Sequence, residues 1–294
     1  MKQSNDDYKV VPFSKMRRLE AVTIRSAQRK PIIHGLLEVD VTRARAFLRE
    51  HKAKTGESLS FTAFLATCLG KAIDENKAVQ ACRKGRKHLV LFDDVDVMTQ
   101  IERDIAGQKQ PIPYTIRAAN RKTFREIHHE IKAAQVEDVP KAWERFKAFQ
   151  VLPIFLFRFL WWMQRYPQVQ KKFLGTVGIT AVGMFGKGSG WGIPTAPIHS
   201  LFLTLGGITE KPGVVDGQIA IREYLCLTVS LDHDIIDGAP AARFVTRLKD
   251  LIESGYGLDE STVESEQAVA PGASKKSERW STSQGGTKLM EVWR

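Results

Sequence analysis

The chain has 294 residues, with 44 Lys or Arg against 33 Asp or Glu, a formal net charge of +11. That length buries a sizeable core in one large domain or two small ones, and the 43% hydrophobic and 26% charged fractions exclude a disordered or fibrous protein. The positive balance favours an anionic partner such as a phosphorylated cofactor or a lipid surface; no RNP, zinc-finger or helix-turn-helix pattern accompanies it, so nucleic acid is not expected.

The N-terminal MKQSNDDYKVVPF is polar and carries no apolar leader core, so residues 1–14 are expected to be loosely held and no secretory signal is expected. IIHGLLEVDV, from Ile32 to Val41, is β-branched and partly alternating, which predicts a strand. Thr42 then caps a predicted helix that stops at Gly56, and Ser60 caps a second. The second helix places Phe61, Phe64, Leu65, Cys68, Leu69 and Ile73 at helical spacing, the pattern of a buried helix.

HLVLFDDVDVMTQI, residues 88–101, has two apolar runs split by Asp93 and Asp94, a hairpin or sharp strand bend. A short strand is predicted over Pro111–Ile116, then a helix capped by Thr123. His128 and His129 on that helix are adjacent, so they point apart; both are read as surface residues rather than metal ligands. Strands follow at 176–186, 199–209 and 221–233, and a last helix at about 239–254. The Ser-, Gln- and Gly-rich tail, residues 257–294, cannot bury enough apolar surface to fold alone. Cys68, Cys82 and Cys226 are odd in number and lack metal-type spacing, which suits reduced thiols in a cytoplasmic protein. No repeat and no regular βαβα alternation appears, so the fold class is α+β with a mixed sheet.

One motif carries chemistry. LDHDIIDGAPAARF, residues 231–244, ends a strand on His233 and opens a helix on Asp237-Gly238, an HxxxDG pattern. With its flanks, LTVSLDHDIIDGAPAARFVTRLKDLIES resembles the active-site segment of the dihydrolipoyl acyltransferase (E2) catalytic domains of 2-oxoacid dehydrogenase complexes. GITAVGMFG (178–186), LGGITEKPGVVDGQIAIRE (205–223) and LLEVDVTRARAFLREHKAKTG with LSFTAFLATCLGKAI are similar to other segments of that family, in the same order. The resemblance covers residues 15–255, so residues 15–256 are taken as one catalytic domain.

The resemblance implies a two-layer mixed-sheet sandwich of the chloramphenicol acetyltransferase-like type, a homotrimer or larger trimer-based assembly, and a site between subunits. It implies coenzyme A or acyl-CoA as substrate and no metal. His233 is then the base that activates a thiol, hydroxyl or amine acceptor, a task that imidazole suits because it titrates near working pH. Thr180 falls at the family's hydroxyl position, usually serine, and is the expected oxyanion donor. Asp237 supports the histidine loop, with Arg17 or Arg18 as its expected partner. Gly183 and Gly186 leave room for the pantetheine arm, and Gly238 lets the backbone turn tightly. Simple helix-start chemistry, an Asp cap and a small residue, fits Asp237 and Gly238 as well.

Three departures stand out. About fifteen residues precede the resemblance, too few for a lipoyl domain, so no lipoyl lysine is expected in this chain and a separate lipoyl protein is one expected partner. Asp234 follows His233 where E2 domains usually carry arginine, which sets a negative charge beside the base. An insert near 138–174 includes VLPIFLFRFLWWMQRYPQVQKKF, whose apolar core from Val151 to Met163 is too short to span a bilayer. Being apolar all round, it is expected to pack into the pocket or oligomer, or to touch a membrane surface peripherally through Trp161, Trp162, Arg165, Lys171 and Lys172. The alternatives to a CoA-dependent acyltransferase are an E2-like scaffold that binds partners and a membrane-associated long-chain acyltransferase.

Overall fold

A computed structural model of the chain describes residues 9–13, 17–18, 21–22, 24–25, 30–105, 108–136, 166–183, 188–195 and 197–258. The apolar 151–163 stretch, most of the insert and nearly all of the tail lie outside them; no helix of the described residues is long and apolar enough to cross a membrane.

Strand β1 (Ile32–Asp40) leads into helix α1 (Thr42–Thr55), and α2 (Phe61–Glu75) follows. A small hairpin, β2 (Cys82–Lys84) and β3 (His88–Val90), stands outside the main sheet. Then come β4 (Val97–Ile105), β5 (Gln108–Ile116), α3 (Phe124–Val136), α4 (Pro167–Leu174) and β6 (Val177–Ala181). The long β7 (Leu201–Val215) and β8 (Gln218–Asp232) and helix α5 (Gly238–Ser254) complete the domain. Six strands form one mixed sheet in the order β1-β8-β7-β6-β4-β5, with β6 parallel to both neighbours and the other pairs antiparallel. Pro111 and Pro113, which cannot donate to a ladder, sit on edge strand β5, where one side needs no partner.

Strand alternation assigns the two faces. Val177, Ile179, Leu201, Leu203, Leu205, Leu227, Val229 and Leu231 point to one face and join the core with Phe64, Leu65 and Leu69 of α2 and Phe244, Leu248 and Leu251 of α5. The other face carries Thr180, Thr204, Thr228, Ser230 and Asp232, and the segment around Gly190 and Gly192 lies against it, with Gly192 beside Thr204. This is the α+β mixed-sheet architecture expected from the sequence.

Local chemistry explains the element ends. Asp216 and Gly217 both take positive φ, 50° and 78°, the two-residue hairpin turn that matches strand twist, so β7 and β8 pair out to Val215↔Gln218. Ser60 caps α2 by accepting the Ala63 N–H at 3.2 Å. At α3, the Thr123 hydroxyl accepts the Glu126 N–H while the Glu126 carboxylate accepts the Thr123 N–H at 2.7 Å, a reciprocal capping box.

Two local readings need correction. Thr42 is the first residue of α1 rather than its cap: the Asp40 carboxylate accepts both the Thr42 N–H at 2.9 Å and its hydroxyl at 2.6 Å. His128 is not at the surface but 1% exposed, because α3 turns it inward against Phe124 and the loop before α2; His129 is exposed.

The far end of the β7–β8 hairpin reaches beyond the helical layer. Val214, Ile219 and Ile221 there are 77%, 81% and 75% exposed, an apolar face that no part of the described chain covers.

Candidate active site

The chain bends sharply after β8, and nearly every polar group of the bend is tied down. Asp232 N–H donates to Ser200 O at 2.9 Å and His233 N–H to Pro31 O at 2.8 Å. The Ile235 and Ile236 amides donate to Asp232 O at 2.9 and 3.1 Å, and the Asp234 amide donates to Asp232 Oδ1 at 3.1 Å. Ile235 and Ile236 are each 2% exposed and pin the turn from below. The His233 side chain is left exposed on a backbone that cannot easily move.

Each acid flanking His233 has its own cation. Buried Asp232 lies 3.4 Å from the Lys30 ammonium, which also donates to Ile198 O at 2.8 Å. Asp234 is paired with Arg83 of β2. Cys82, at the root of the same hairpin, sits against this cluster: burial raises its thiol above the ordinary range, while the Lys30 charge and the Ser200 hydroxyl pull the other way. Sequence reasoning missed Lys30 and Arg83. Their contacts to the motif are long-range, and only the basic run RKGRKH at 83–88 gave any signal.

Thr180 is half-buried on β6, and its register partner is Thr204 on β7, itself opposite Thr228 on β8. Three threonines thus form one row across adjacent strands. The Thr204 and Thr228 hydroxyls are buried without a hydrogen-bond partner in the described chain. At the strand root, His199 is fully buried, stacks on Phe202 and donates from Nε2 to Leu174 O at 2.9 Å. Burial holds its imidazole down at about 4.

Within one chain His233 and Thr180 do not meet. His233 lies beyond Asp232, level with Ser200, whereas Thr180 lies level with Thr204, with β7 intervening. At about 3.3 Å per residue and about 4.8 Å per strand, the two are on the order of 16 Å apart.

The glycines divide by what surrounds them. A Cβ on Gly183 would stand 1.8 Å from Gly206 O, and one on Gly206 would stand 2.1 Å from Gly190 O. Gly207 N–H donates to Gly190 O at 2.9 Å, so the covering segment packs backbone against backbone on the bulge of β7. The room at Gly183 is therefore filled by the chain itself. A Cβ on Gly238 would meet nothing within 4 Å, which leaves that side open to a ligand or a neighbouring chain. Gly186 lies outside the described residues. Asp237 is the N-cap residue of α5, but its side chain makes no capping bond.

A second polar cluster lies away from this site. Glu57, His128 and His129 bring one ligand-type atom each within 4.8 Å of one another. His128 Nδ1 accepts the Ser60 N–H at 3.1 Å, so the ring proton sits on Nε2 and is donated to Glu57 Oε1 at 3.1 Å. Glu57 also pairs with His51 at 2.8 Å and Arg125 at 3.1 Å; chiefly through the His51 bond, its carboxyl is held down to about 2. These groups satisfy one another and clamp the α1–α2 loop to α3.

Comparison with known proteins fits this geometry. The family model for 2-oxoacid dehydrogenases acyltransferase (catalytic domain) matches residues 5–138 and 168–258. The lipoamide acyltransferase component of the branched-chain alpha-keto acid dehydrogenase complex of Bacillus subtilis is 26% identical over 262 residues, which is 86% of this chain and 54% of that protein. The dihydrolipoyllysine-residue succinyltransferase component of the 2-oxoglutarate dehydrogenase complex of Bartonella vinsonii is 43% identical over 79 residues, 27% of this chain and 19% of that protein. The chain thus spans about half the length, or less, of these relatives. Among solved structures, a probable dihydrolipoamide acetyltransferase from Listeria monocytogenes has a TM-score of 0.62 at 21% identity, covering 84% of this chain and 95% of that one. The cubic core of a pyruvate dehydrogenase multienzyme complex has the same TM-score at 20% identity, covering 85% and 93%. With its family match interrupted only where the apolar insert falls, the chain belongs to the acyltransferase catalytic domains of the 2-oxoacid dehydrogenases, the E2 type.

Proposed function

We propose that this protein moves an acyl group between a coenzyme A thioester and a thiol, hydroxyl or amine acceptor, and that its sites form between copies of the chain. The observation that carries the reading is the placement of His233 and Thr180: one exposed on a fixed turn, the other half-buried about 16 Å away on the same chain. A base and an oxyanion donor at that separation cannot serve one carbonyl, but a neighbouring copy can bring its own Thr180 to His233. Trimer-based assembly, as in the cubic core of the pyruvate dehydrogenase complex, supplies such a neighbour and a cover for the exposed end of the β7–β8 hairpin.

In this scheme His233 takes the proton from the acceptor as the acceptor attacks the thioester carbonyl. The oxyanion is held by the Thr180 hydroxyl, and collapse expels the coenzyme A thiolate, which recovers the proton from His233. Asp237 and Gly238 frame the turn into α5, with the open side of Gly238 facing the incoming arm. Gly183 serves by letting the strand end close on Gly206. A separate lipoyl-bearing protein is one source of the acceptor thiol.

An acyl-CoA panel tested against dihydrolipoamide and small alcohol and amine acceptors decides the matter. Thioester loss is expected with at least one pair and is expected to vanish in His233→Ala at unchanged oligomer size. Normal turnover by that variant overturns the reading.

A further inference from the structure

Two cations reach the turn that carries His233, and they differ in what they hold. Arg83 and Asp234 are both about half exposed, so water screens that pair. Lys30 holds Asp232, whose side chain is 3% exposed, and a carboxylate so placed acts on its neighbours through little solvent. Asp232 immediately precedes His233, so its charge stands next to the base.

Lys30 does more than neutralise. Its ammonium also donates to Ile198 O at 2.8 Å, two residues before Ser200, whose carbonyl accepts the Asp232 N–H. The next residue, Pro31, accepts the His233 N–H at 2.8 Å. Lys30 and Pro31 thereby tie both the 198–200 segment and the turn at His233 to the start of β1. The Asp232 carboxylate held by Lys30 accepts the Asp234 N–H at 3.1 Å, beyond His233. One ammonium thus fixes the carboxylate that closes the turn around the base.

The other titratable groups packed here leave Asp232 to Lys30. Burial raises the Cys82 thiol, which stays protonated and uncharged. His199 is kept neutral by burial, and His34 of β1 is bonded to the Ser230 hydroxyl at 2.9 Å. Asp234 is engaged by Arg83, and Asp237 is exposed at the start of α5.

We infer that Lys30 is a positioning residue for His233: it locks the turn that presents the imidazole and cancels the Asp232 charge that would otherwise hold a proton on it. The inference rests on the reading of His233 as base and names the residue that tunes it.

The test compares the full wild-type chain with Lys30→Met, Asp232→Asn, the double variant of both, and Lys30→Arg. Two profiles are taken from about pH 5.5 to about pH 9, the span in which imidazole titrates. One is kcat/KM for acyl transfer; the other is the rate at which diethyl pyrocarbonate modifies His233, read by mass spectrometry. Lys30→Met bares the Asp232 charge and favours imidazolium, so the acidic limb of both profiles is expected to rise by about half to one pH unit. On that limb the shift reads as roughly three- to tenfold slower reaction at a given pH. Asp232→Asn keeps an acceptor for the Asp234 N–H but bares the ammonium, and should move both limbs down. The double variant should lie near wild type, and Lys30→Arg should keep the wild-type limbs.

A folding defect lowers rates without moving the limbs in opposite directions. Limbs that stay in place in both single variants, or move the same way in both, overturn the inference. Should Lys30→Met fail to fold, Asp232→Asn decides alone, and an unmoved limb there overturns it. Opposite shifts of the modification profile in a chain that turns over no acyl-CoA overturn the activity and keep the hold of Lys30 on His233.

Discussion

Arg83 and Asp234, 151 residues apart in the sequence, form an ion pair directly beside His233. The negative charge that replaces the arginine usual after the family's histidine is thus balanced by a cation from the β2–β3 hairpin. Polarity at this place is reversed rather than lost. A half-exposed pair contributes up to about 1 kcal/mol, so Arg83→Ala is expected to lower kcat/KM by up to about fivefold. Arg83→Asp should be worse, and the swap of Arg83→Asp with Asp234→Arg should recover most of the loss. A swap no better than Arg83→Asp alone would remove the pair from any positioning role.

Separation of His233 from Thr180 within one chain makes complementation the sharpest check of a shared site. His233→Ala and Thr180→Val are each expected to lose activity, the second by about a hundredfold or more if it removes an oxyanion donor. Unfolded, mixed in equal amounts and refolded together, they should regain about a quarter of wild-type activity, because each closed interface draws its two halves from different chains. Activity that stays at the level of the single variants argues for a site within one chain.

His199 gives the fold a defined acid sensitivity. Burial lowers its imidazole from an ordinary 6.5 to about 4, so the folded chain resists a proton that the unfolded chain accepts. The associated stability is fully present above pH 6.5 and is lost as pH falls through the window from 6.5 to 4, on the order of 3 kcal/mol in all. His199→Gln keeps a donor for Leu174 O and removes the titration. Its denaturation midpoint should therefore fall less steeply than wild type between pH 6.5 and 4; parallel curves would assign the acid loss to other groups.

Gly183→Ala sets a methyl group against the Gly206 carbonyl, where backbone rather than a flexible side chain must yield. Destabilisation of about 1–3 kcal/mol is expected, read as a lower melting temperature. Acyl transfer should fall as well, since the displaced strand end carries Thr180. Gly238→Ala, with nothing within 4 Å of the added methyl group, should leave the stability of the dissociated chain within about half a kcal/mol of wild type.

What was legible in the sequence was local. Helical spacing in α2 and α5, the Ser60 cap, the Thr123 cap and the strand-ending histidine all depend on neighbours a few residues away. Thr42 was misread because two polar residues, Asp40 and Thr42, flank Val41 and both suit a cap, and only geometry shows that Asp40 accepts. His128 was misread because helical periodicity separates it from His129 without saying which one faces the core. The partners of Asp232 and Asp234 come from Lys30 and Arg83, whose positions depend on how β1 and the β2–β3 hairpin dock. Gly183 shows the same limit: a glycine announces close approach, but not whether a ligand or the chain's own Gly206 does the approaching.

The bare tip of the β7–β8 hairpin has a thermodynamic consequence. Val214, Ile219 and Ile221 present an apolar surface that exists only in the folded chain, so anything that covers it binds the native state and not the unfolded one. By mass action, the melting temperature then rises with protein concentration wherever the cover is a second copy. In that case dilution acts as a mild denaturant, and a melting value carries meaning only beside the concentration at which it was taken.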